Sequence, residues 1–479
     1  LTQNHNSLTL KGERVGTMQK QASWDDLEQD STITPIYASR SLNTAVPKYT
    51  IPRLGLAADT AYQIVHDELM MDGNAHMNMA TFVTTWMEPQ ATLLMTETLE
   101  KNLIDKDEYP QTAEIEKRCI TMLATLWNTP KGANALGTST VGSSEACMLA
   151  GMAFKWRWRN QQKKHKKSIE KPNLVMGQNV QVCWEKFCRY WDVEPRYVPM
   201  EKGRYHIGVD EAIALCDENT IGIVAIMGST FDGSYEPVEQ LSQALDAFQE
   251  KTGLDIPIHV DAASGGFVAP FIQPDIVWDF RLNRVKSINT SSHKYGMVYP
   301  GLGWVLWRHP DDLPKELIFN VNYLGGEMPT FALNFSRPGN GVIAQYFNFL
   351  RLGYEGYRRI QQSCQNTALY LSDSIAKMGP FELITRGNEL PVFAFTLKKE
   401  VAHFSLFDLS DRLKQRGWQV PAYMLPANLE KMSVMRIVVK ENFSRDMAEM
   451  LLDDIQKHLA WFDKHQIDRP THFTPMFHH

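Results

Sequence analysis

Six cysteines in 479 residues, with no Cys-x-x-Cys pair, exclude a disulfide scaffold. Cys119, Cys147, Cys183, Cys188, Cys216 and Cys364 read as reduced thiols of a cytoplasmic protein, and no metal is expected. No run approaches the roughly 20 apolar residues that a membrane span needs. The opening Leu-Thr-Gln-Asn-His-Asn-Ser is polar, without the apolar stretch of a secretion signal, and the missing initiator methionine reads as processing. A formal charge of −6 leaves no excess of positive charge, which argues against nucleic acid or an anionic membrane as the main partner. There is no internal repeat and no low-complexity block. With 43% hydrophobic and 22% charged residues, the chain has ample material for a globular interior. Its length calls for more than one core.

Residues 1–58 are polar and punctuated by Pro35, Pro47 and Pro52, which predicts an extended arm lying on something else, such as a second subunit. Helical spacing begins over Ala61–Leu69 and returns over Tyr109–Trp127. The middle of the chain then alternates short apolar runs with amphipathic stretches. The runs are Asn173–Met176, Arg196–Val198, Ile221–Met227, Ile256–Asp261, Ser287–Thr290 and Trp304–Trp307; Val238–Glu250 carries Leu241, Leu245 and Phe248 on one helical face. This alternation predicts an α/β domain with a mostly parallel sheet covered on both sides, over residues 59–363. Gly341–Met378 reads as long helix. Strands at Phe393–Leu397 and Met435–Val439, flanked by helices at Leu406–Gln415 and Arg445–His458, predict a smaller α+β domain over residues 364–479.

Two of the strand-like runs end in residues with chemical potential: Asp261 in His-Val-Asp-Ala-Ala, and Lys294 in Ser-Ser-His-Lys-Tyr. Ligands of such sheets sit at the carboxyl ends of strands. Taken alone, Lys294 is a strand-ending lysine and Asp261 a turn-capping carboxylate. Together they match the division of labour that pyridoxal phosphate requires, a Schiff-base amine and a carboxylate that keeps a ring nitrogen protonated. Small residues from Ala262 to Gly266 leave room for a flat ring. Gly142-Ser-Ser-Glu145 opens an apolar helix, Ala146–Trp158, and reads either as an ordinary N-cap or as a phosphate cradle of backbone N–H groups. The basic, aromatic run Lys155-Trp-Arg-Trp-Arg159, followed by Lys163–Lys167, is read as a helix that buries tryptophan and leaves its cations in solvent, rather than as a nucleic-acid or calmodulin site.

Several words stand in order along the chain: Met71-Asp-Gly-Asn-Ala75, Ala80-Thr-Phe82, Asn102–Pro110, Val141–Met148, Lys155–Arg159, His259–Gly266, Ser292-His-Lys294 and Asn334-Phe-Ser-Arg-Pro338. In these the chain resembles the group II pyridoxal-phosphate-dependent decarboxylases over nearly its whole length, and within them the bacterial glutamate-specific branch. The resemblance implies the aspartate-aminotransferase-like architecture (fold type I) and conversion of L-glutamate to 4-aminobutyrate (GABA) and carbon dioxide. It implies Lys294 as the Schiff-base lysine, Asp261 as the partner of the ring nitrogen, and Ser143, Ser144, Ser291 and His293 around the phosphate, with Ser336 from a neighbouring subunit. Gln181 would lie on the ring face, with Thr230 and Ala263 against the ring. Thr81, Phe82, Asn102 and Asp105 would meet the distal substrate carboxylate, Asp105 from a neighbour, and Arg436 the α-carboxylate. Tyr323 or His293 would protonate the substrate carbon. The shared contacts imply a homo-oligomer, at least a dimer. Asp105 beside a substrate carboxylate sets two like charges together, which implies an acidic activity optimum. The reaction consumes a proton, in keeping with a role in acid resistance. The branch's Ser-Gly-His-Lys-Phe reads Ser-Ser-His-Lys-Tyr here. Thr471–His479 does not align with the bacterial tail that closes the site at neutral pH, nor does it carry the calmodulin helix of the plant enzymes. The competing readings are another amino-acid decarboxylase, a transaminase, or a basic-helix binding protein on an inactive cofactor fold.

Overall fold

The structure is a computed structural model that describes residues 48–132, 136–322 and 328–465. Most of the expected N-terminal arm, Tyr323 and the Thr471–His479 tail lie outside the described residues. The chain divides into two compact units, Leu1–Gly73 and Asn74–His479. In the first, a helix spans Ala58–Leu69.

The second unit is built on a seven-stranded sheet. Its strands are β1 (Leu136–Thr140), β2 (Asn173–Gly177), β3 (Glu194–Val198), β4 (Thr220–Ile226), β5 (Ile258–Asp261), β6 (Val285–Thr290) and β7 (Gly303–Trp307), in the order β1-β7-β6-β5-β4-β2-β3. Only β7 runs against its neighbours. Every residue of β2, β4, β5 and β7 is buried, as expected where helices cover both faces of a parallel sheet. The helices Ser143–Lys164, Val182–Tyr190 and Val238–Thr252 provide part of that cover. Because the strands are parallel, the segments after β1, β2, β4, β5 and β6 all emerge at one edge.

Beyond β8 (Phe319–Val321) and β9 (Met328–Thr330), a helix runs from Asn340 to Lys377, broken at Gly353, whose φ of 59° and ψ of −174° have no place in a helix. It crosses the boundary expected at residue 364. A four-stranded antiparallel sheet follows, with β10 (Phe381–Leu383), β11 (Val392–Leu397), β12 (Ala422–Met424) and β13 (Ser433–Val438) in the order β10-β11-β13-β12. It has its own core, in which Phe393, Phe395, Met435 and Ile437 pack with Leu409 and Leu413 of the helix Leu406–Gln415 and with Leu451 and Ile455 of the helix Arg445–Lys464. The predicted α/β region and smaller sheet are thus both present, and Leu406–Gln415 falls where it was predicted.

The segment Asn78–Thr84 ties the two sheets together. Val438 N donates to Met79 O at 3.0 Å, Thr84 N to His293 O at 2.7 Å, and Thr84 Oγ1 to Lys294 O at 2.6 Å. In the basic run Trp158 is buried and donates to Glu218 O, and Arg157 pairs with Asp255, while residues 163–167 are exposed to solvent. Among the described residues no helix is long and apolar enough to cross a membrane.

Candidate active site

The segments leaving β1, β2, β4, β5 and β6 enclose a cavity of about 270 Å³. Its wall includes Ser143, Ser144, Gln181, Thr230, Asp261, Ala263, Ser291, His293 and Lys294. These nine residues span more than 150 positions in sequence and meet because parallel strands deliver their carboxyl ends to one edge.

Lys294 is half-buried in the cavity wall. Burial, the largest influence, pulls its amine below the ordinary lysine range. Nζ donates to Ser264 Oγ at 3.4 Å and sits 5.1 Å from the Phe82 ring centroid. An amine whose proton is held less tightly is a better nucleophile near neutral pH. Asp261, the last residue of β5, collects donors on both oxygens. Oδ1 accepts from Asn289 Nδ2 at 3.1 Å and Ala263 N at 3.2 Å; Oδ2 accepts from Trp184 Nε1 at 2.9 Å and the Cys147 thiol at 3.7 Å. A carboxylate with only donors around it is set up to receive one more N–H.

At the other side, the helix Ser143–Lys164 opens into the cavity. Its N-cap is Gly142, with φ 150° and no capping side chain, so Ser143 and Ser144 are the first helical residues and not caps. The motif thus supplies the helix's N-cap, Gly142, without a capping side chain. A Cβ at Gly142 would lie 2.9 Å from His293 Cε1, so glycine is required for this close approach. Ser291 Oγ donates to Ser143 Oγ at 2.7 Å. The His293 Nδ1 is buried without a partner, and burial, reinforced by the Lys294 charge, pushes the ring down to about 4. Gln181 Oε1 caps the helix Val182–Tyr190 by accepting from Cys183 N at 2.6 Å.

The residues expected to bind substrate fall into two groups. Phe82 lies between Lys294 and Arg436, whose Cζ is 4.9 Å from its ring centroid. Arg436, on β13, donates to the carbonyls of Thr230 and Ala80 and keeps Nε buried and unpartnered. Thr81 belongs to this segment, its Oγ1 accepting from Val83 N. Asn102 and Asp105 instead gather with Ser336: Asn102 Nδ2 donates to Asp105 Oδ2 at 2.9 Å and to Ser336 Oγ at 3.3 Å. Ser336 is exposed, and none of these three lines the cavity around Lys294. Three residues of the site were not singled out from sequence: Trp184, Cys147 and Asn289. Trp184 and Cys147 look like ordinary helix core. Asn289 carried a signal, since an asparagine inside a buried strand demands partners.

The residue pattern has a counterpart in known proteins. A family model described as the pyridoxal-dependent decarboxylase conserved domain matches residues 47–398. The chain belongs to the pyridoxal-dependent decarboxylases. It is 56% identical over 450 residues to the glutamate decarboxylase of Aliivibrio fischeri, covering 94% of this chain and 96% of that one. It is 50% identical over 438 residues to the glutamate decarboxylase of Petunia hybrida, covering 91% and 87% respectively. The solved glutamate decarboxylase of Lactobacillus brevis superposes with a TM-score of 0.88 at 47% identity, over 91% of this chain and 99% of that one. A sphingosine-1-phosphate lyase of Burkholderia pseudomallei, at 19% identity and a TM-score of 0.74, shares the fold. The family's cofactor fits the cavity on this structure's own evidence. A depressed lysine amine faces a carboxylate ringed by donors, while a helix N-terminus, two serine hydroxyls and an unpartnered imidazole nitrogen converge where an anionic group would lie.

Proposed function

We infer that this pyridoxal-dependent decarboxylase converts L-glutamate to 4-aminobutyrate and carbon dioxide. The observation that carries the reading is the half-buried Lys294 amine, lowered by its surroundings, sharing one cavity with the donor-ringed Asp261, in a chain so close to glutamate decarboxylases. Lys294 would hold the cofactor's aldehyde carbon, Asp261 its ring nitrogen, and Ser143, Ser144, Ser291 and His293 its phosphate, with Ala263, Thr230 and Gln181 around the ring. Bound there, pyridoxal phosphate supplies an electron sink for the carbon that loses its carboxylate.

The chain's own groups set the rest. Arg436, its guanidinium anchored by two carbonyls with N–H groups to spare, Nε among them, receives the α-carboxylate. Phe82, wedged between Arg436 and Lys294, keeps water from the reacting carbon, and Thr81 lies beside it. Protonation of that carbon is assigned to Tyr323 or His293. The depression of His293 to about 4 leaves its ring neutral near neutral pH, which favours Tyr323 as donor.

Asn102, Asp105 and Ser336 act across a subunit boundary in this reading. Their mutual hydrogen bonds and the exposure of Ser336 support a cluster presented to a second copy, whose cavity it completes for the distal carboxylate and the phosphate. A homodimer is the smallest competent assembly. Residues 59–363 form the cofactor-binding part, and residues 364–479 the smaller part that supplies Arg436. Six unpaired cysteines support a cytoplasmic setting. An acidic optimum and a role in acid resistance complete the reading, since each turnover takes up a proton.

Lys294→Ala should lack the visible absorbance of lysine-linked cofactor and form negligible 4-aminobutyrate. Normal multiple turnover by that variant would overturn the assignment. Release of carbon dioxide from glutamate, with aspartate and aromatic amino acids as controls, separates this reading from another decarboxylase or a transaminase.

A further inference from the structure

Strands β5 and β6 pair in parallel, with His259 opposite Ser287 and Asp261 opposite Asn289. Residues two apart in a strand share a face, so these four polar side chains form one buried patch on a sheet otherwise apolar around them. His259, Ser287 and Asn289 are fully buried. Phe154 and Trp184 wall the His259 ring, with centroids 6.3 and 5.1 Å away.

The hydrogen bonds in this patch have a fixed direction. Asp261 Oδ1 only accepts, so the Asn289 group 3.1 Å from it is the amide Nδ2, which also donates to Ser143 Oγ at 2.9 Å. Asn289 Oδ1 therefore faces His259 Nε2 at 2.7 Å, and that nitrogen must carry hydrogen. Burial pushes His259 down to about 4, so the ring is neutral, and Nδ1 accepts from Ser287 Oγ at 2.8 Å. The chain of donors runs Ser287 to His259 to Asn289, and there splits, one N–H to Asp261 and one to Ser143.

We propose that His259 and Asn289 are positioning residues: a fixed-tautomer relay that locks Asp261 to Ser143 and so holds both poles of the cofactor cavity in register. This rests on the roles given above to Asp261 and Ser143. Neither relay residue lines the cavity, so each acts through those two. An amide that loses its histidine partner is free to turn its oxygen toward the carboxylate, exchanging an attraction for a repulsion. Trp184 then remains the other side-chain N–H donor to Asp261.

The test is a titration of pyridoxal phosphate into cofactor-free full-length enzyme, followed by fluorescence, with KM, kcat and thermal midpoint measured beside it. Asn289→Leu should weaken cofactor binding about tenfold or more, the scale of a lost hydrogen bond to a charged group. His259→Leu should weaken it severalfold, and His259→Gln, which keeps an N–H near the Nε2 position, should recover most of the loss. In both leucine variants KM for glutamate at saturating cofactor stays within about twofold of wild type. Should these fail to fold, Asn289→Ser, too short to span from His259 to Asp261, should show the Asn289→Leu loss. Binding within twofold of wild type in the Asn289 and His259→Leu variants, with Asp261→Asn defective, overturns the relay alone. So does an equal loss in His259→Leu and His259→Gln with matching falls in thermal midpoint, which marks mere packing. Normal cofactor binding by Asp261→Asn overturns the Asp261 assignment and the relay with it.

Discussion

Glu441, just beyond β13, carries a carboxyl that the fold holds protonated well beyond the usual carboxylate range. Its Oε1 is shut off from solvent without a hydrogen-bond partner. Burial pushes the group from 4.5 up to about 7, an effect that a hydrogen bond from its own backbone N–H and the neighbouring Lys440 ammonium only partly offset. Lys440 is itself lowered by burial, its Nζ donating to Val83 O at 3.0 Å. Tyr295 and Cys364, the other titratable groups that sense Glu441, are both raised, chiefly by burial. The folded chain thus holds the Glu441 proton up to about pH 7, whereas the unfolded chain releases it near 4.5. Across that window the unfolded state binds fewer protons, so stability falls as pH rises. The contribution is fully present below 4.5 and lost above about 7. The full span corresponds to roughly 3 kcal/mol. Glu441→Gln keeps the shape and removes the titration. Its advantage over wild type should grow from nil near pH 4.5 to roughly 3 kcal/mol near pH 8, or about 3 °C in thermal midpoint for the unfolding entropy of a chain this size. Calorimetry of both holoenzymes across this range reads the difference directly. A gap that stays constant with pH, or that narrows as pH rises, refutes the reasoning. The direction suits an enzyme that consumes protons.

Gly142→Ala sets a methyl group 2.9 Å from His293 Cε1 at a φ of 150°, and should weaken cofactor binding about tenfold while leaving the helix intact; a dissociation constant within twofold of wild type would show that the loop yields. Co-expression of Lys294→Ala with Asp105→Ala, each inactive alone, should restore about a quarter of wild-type activity, because one of two sites in each hybrid dimer is whole; hybrids as inactive as the parents would place Asp105 in the site of its own chain. For Asp105→Asn, the rise of KM for glutamate with pH should flatten, and an unchanged KM profile would remove Asp105 from recognition of the distal carboxylate.

Periodicity in the sequence was enough to locate the large sheet and the smaller one, because burial on both faces of parallel strands writes itself as apolar runs. Val224 and Val260 lie within such runs. Where composition was weak, elements were missed. β1 reads Leu-Gly-Thr-Ser-Thr and owes its place to pairing with β7, in which Gly137 lies against Leu306 and Val305. The break at Gly353 was equally silent, since a glycine within a helical pattern does not announce the conformation it will take.

The site was legible to the extent that its chemistry sits at strand ends. Lys294 and Asp261 were found that way, whereas the donors to Asp261 were not, because Trp184 and Cys147 occupy positions that hydrophobic packing alone would explain. The relay was readable in retrospect. Strands buried on both faces of a parallel sheet should be apolar throughout, yet His-Val-Asp and Ser-Ile-Asn both alternate polar with apolar. Two such alternations in adjacent strands, with the same phase, place their polar residues on one buried face, where each must find a partner among the others. A one-residue slip of β6 against β5 would turn Ser287 and Asn289 to the opposite face and strand all four groups. The polar stripe therefore fixes the register of the strands as well as the orientation of Asp261, and the geometry of the cofactor cavity follows from the same four residues that specify the pairing.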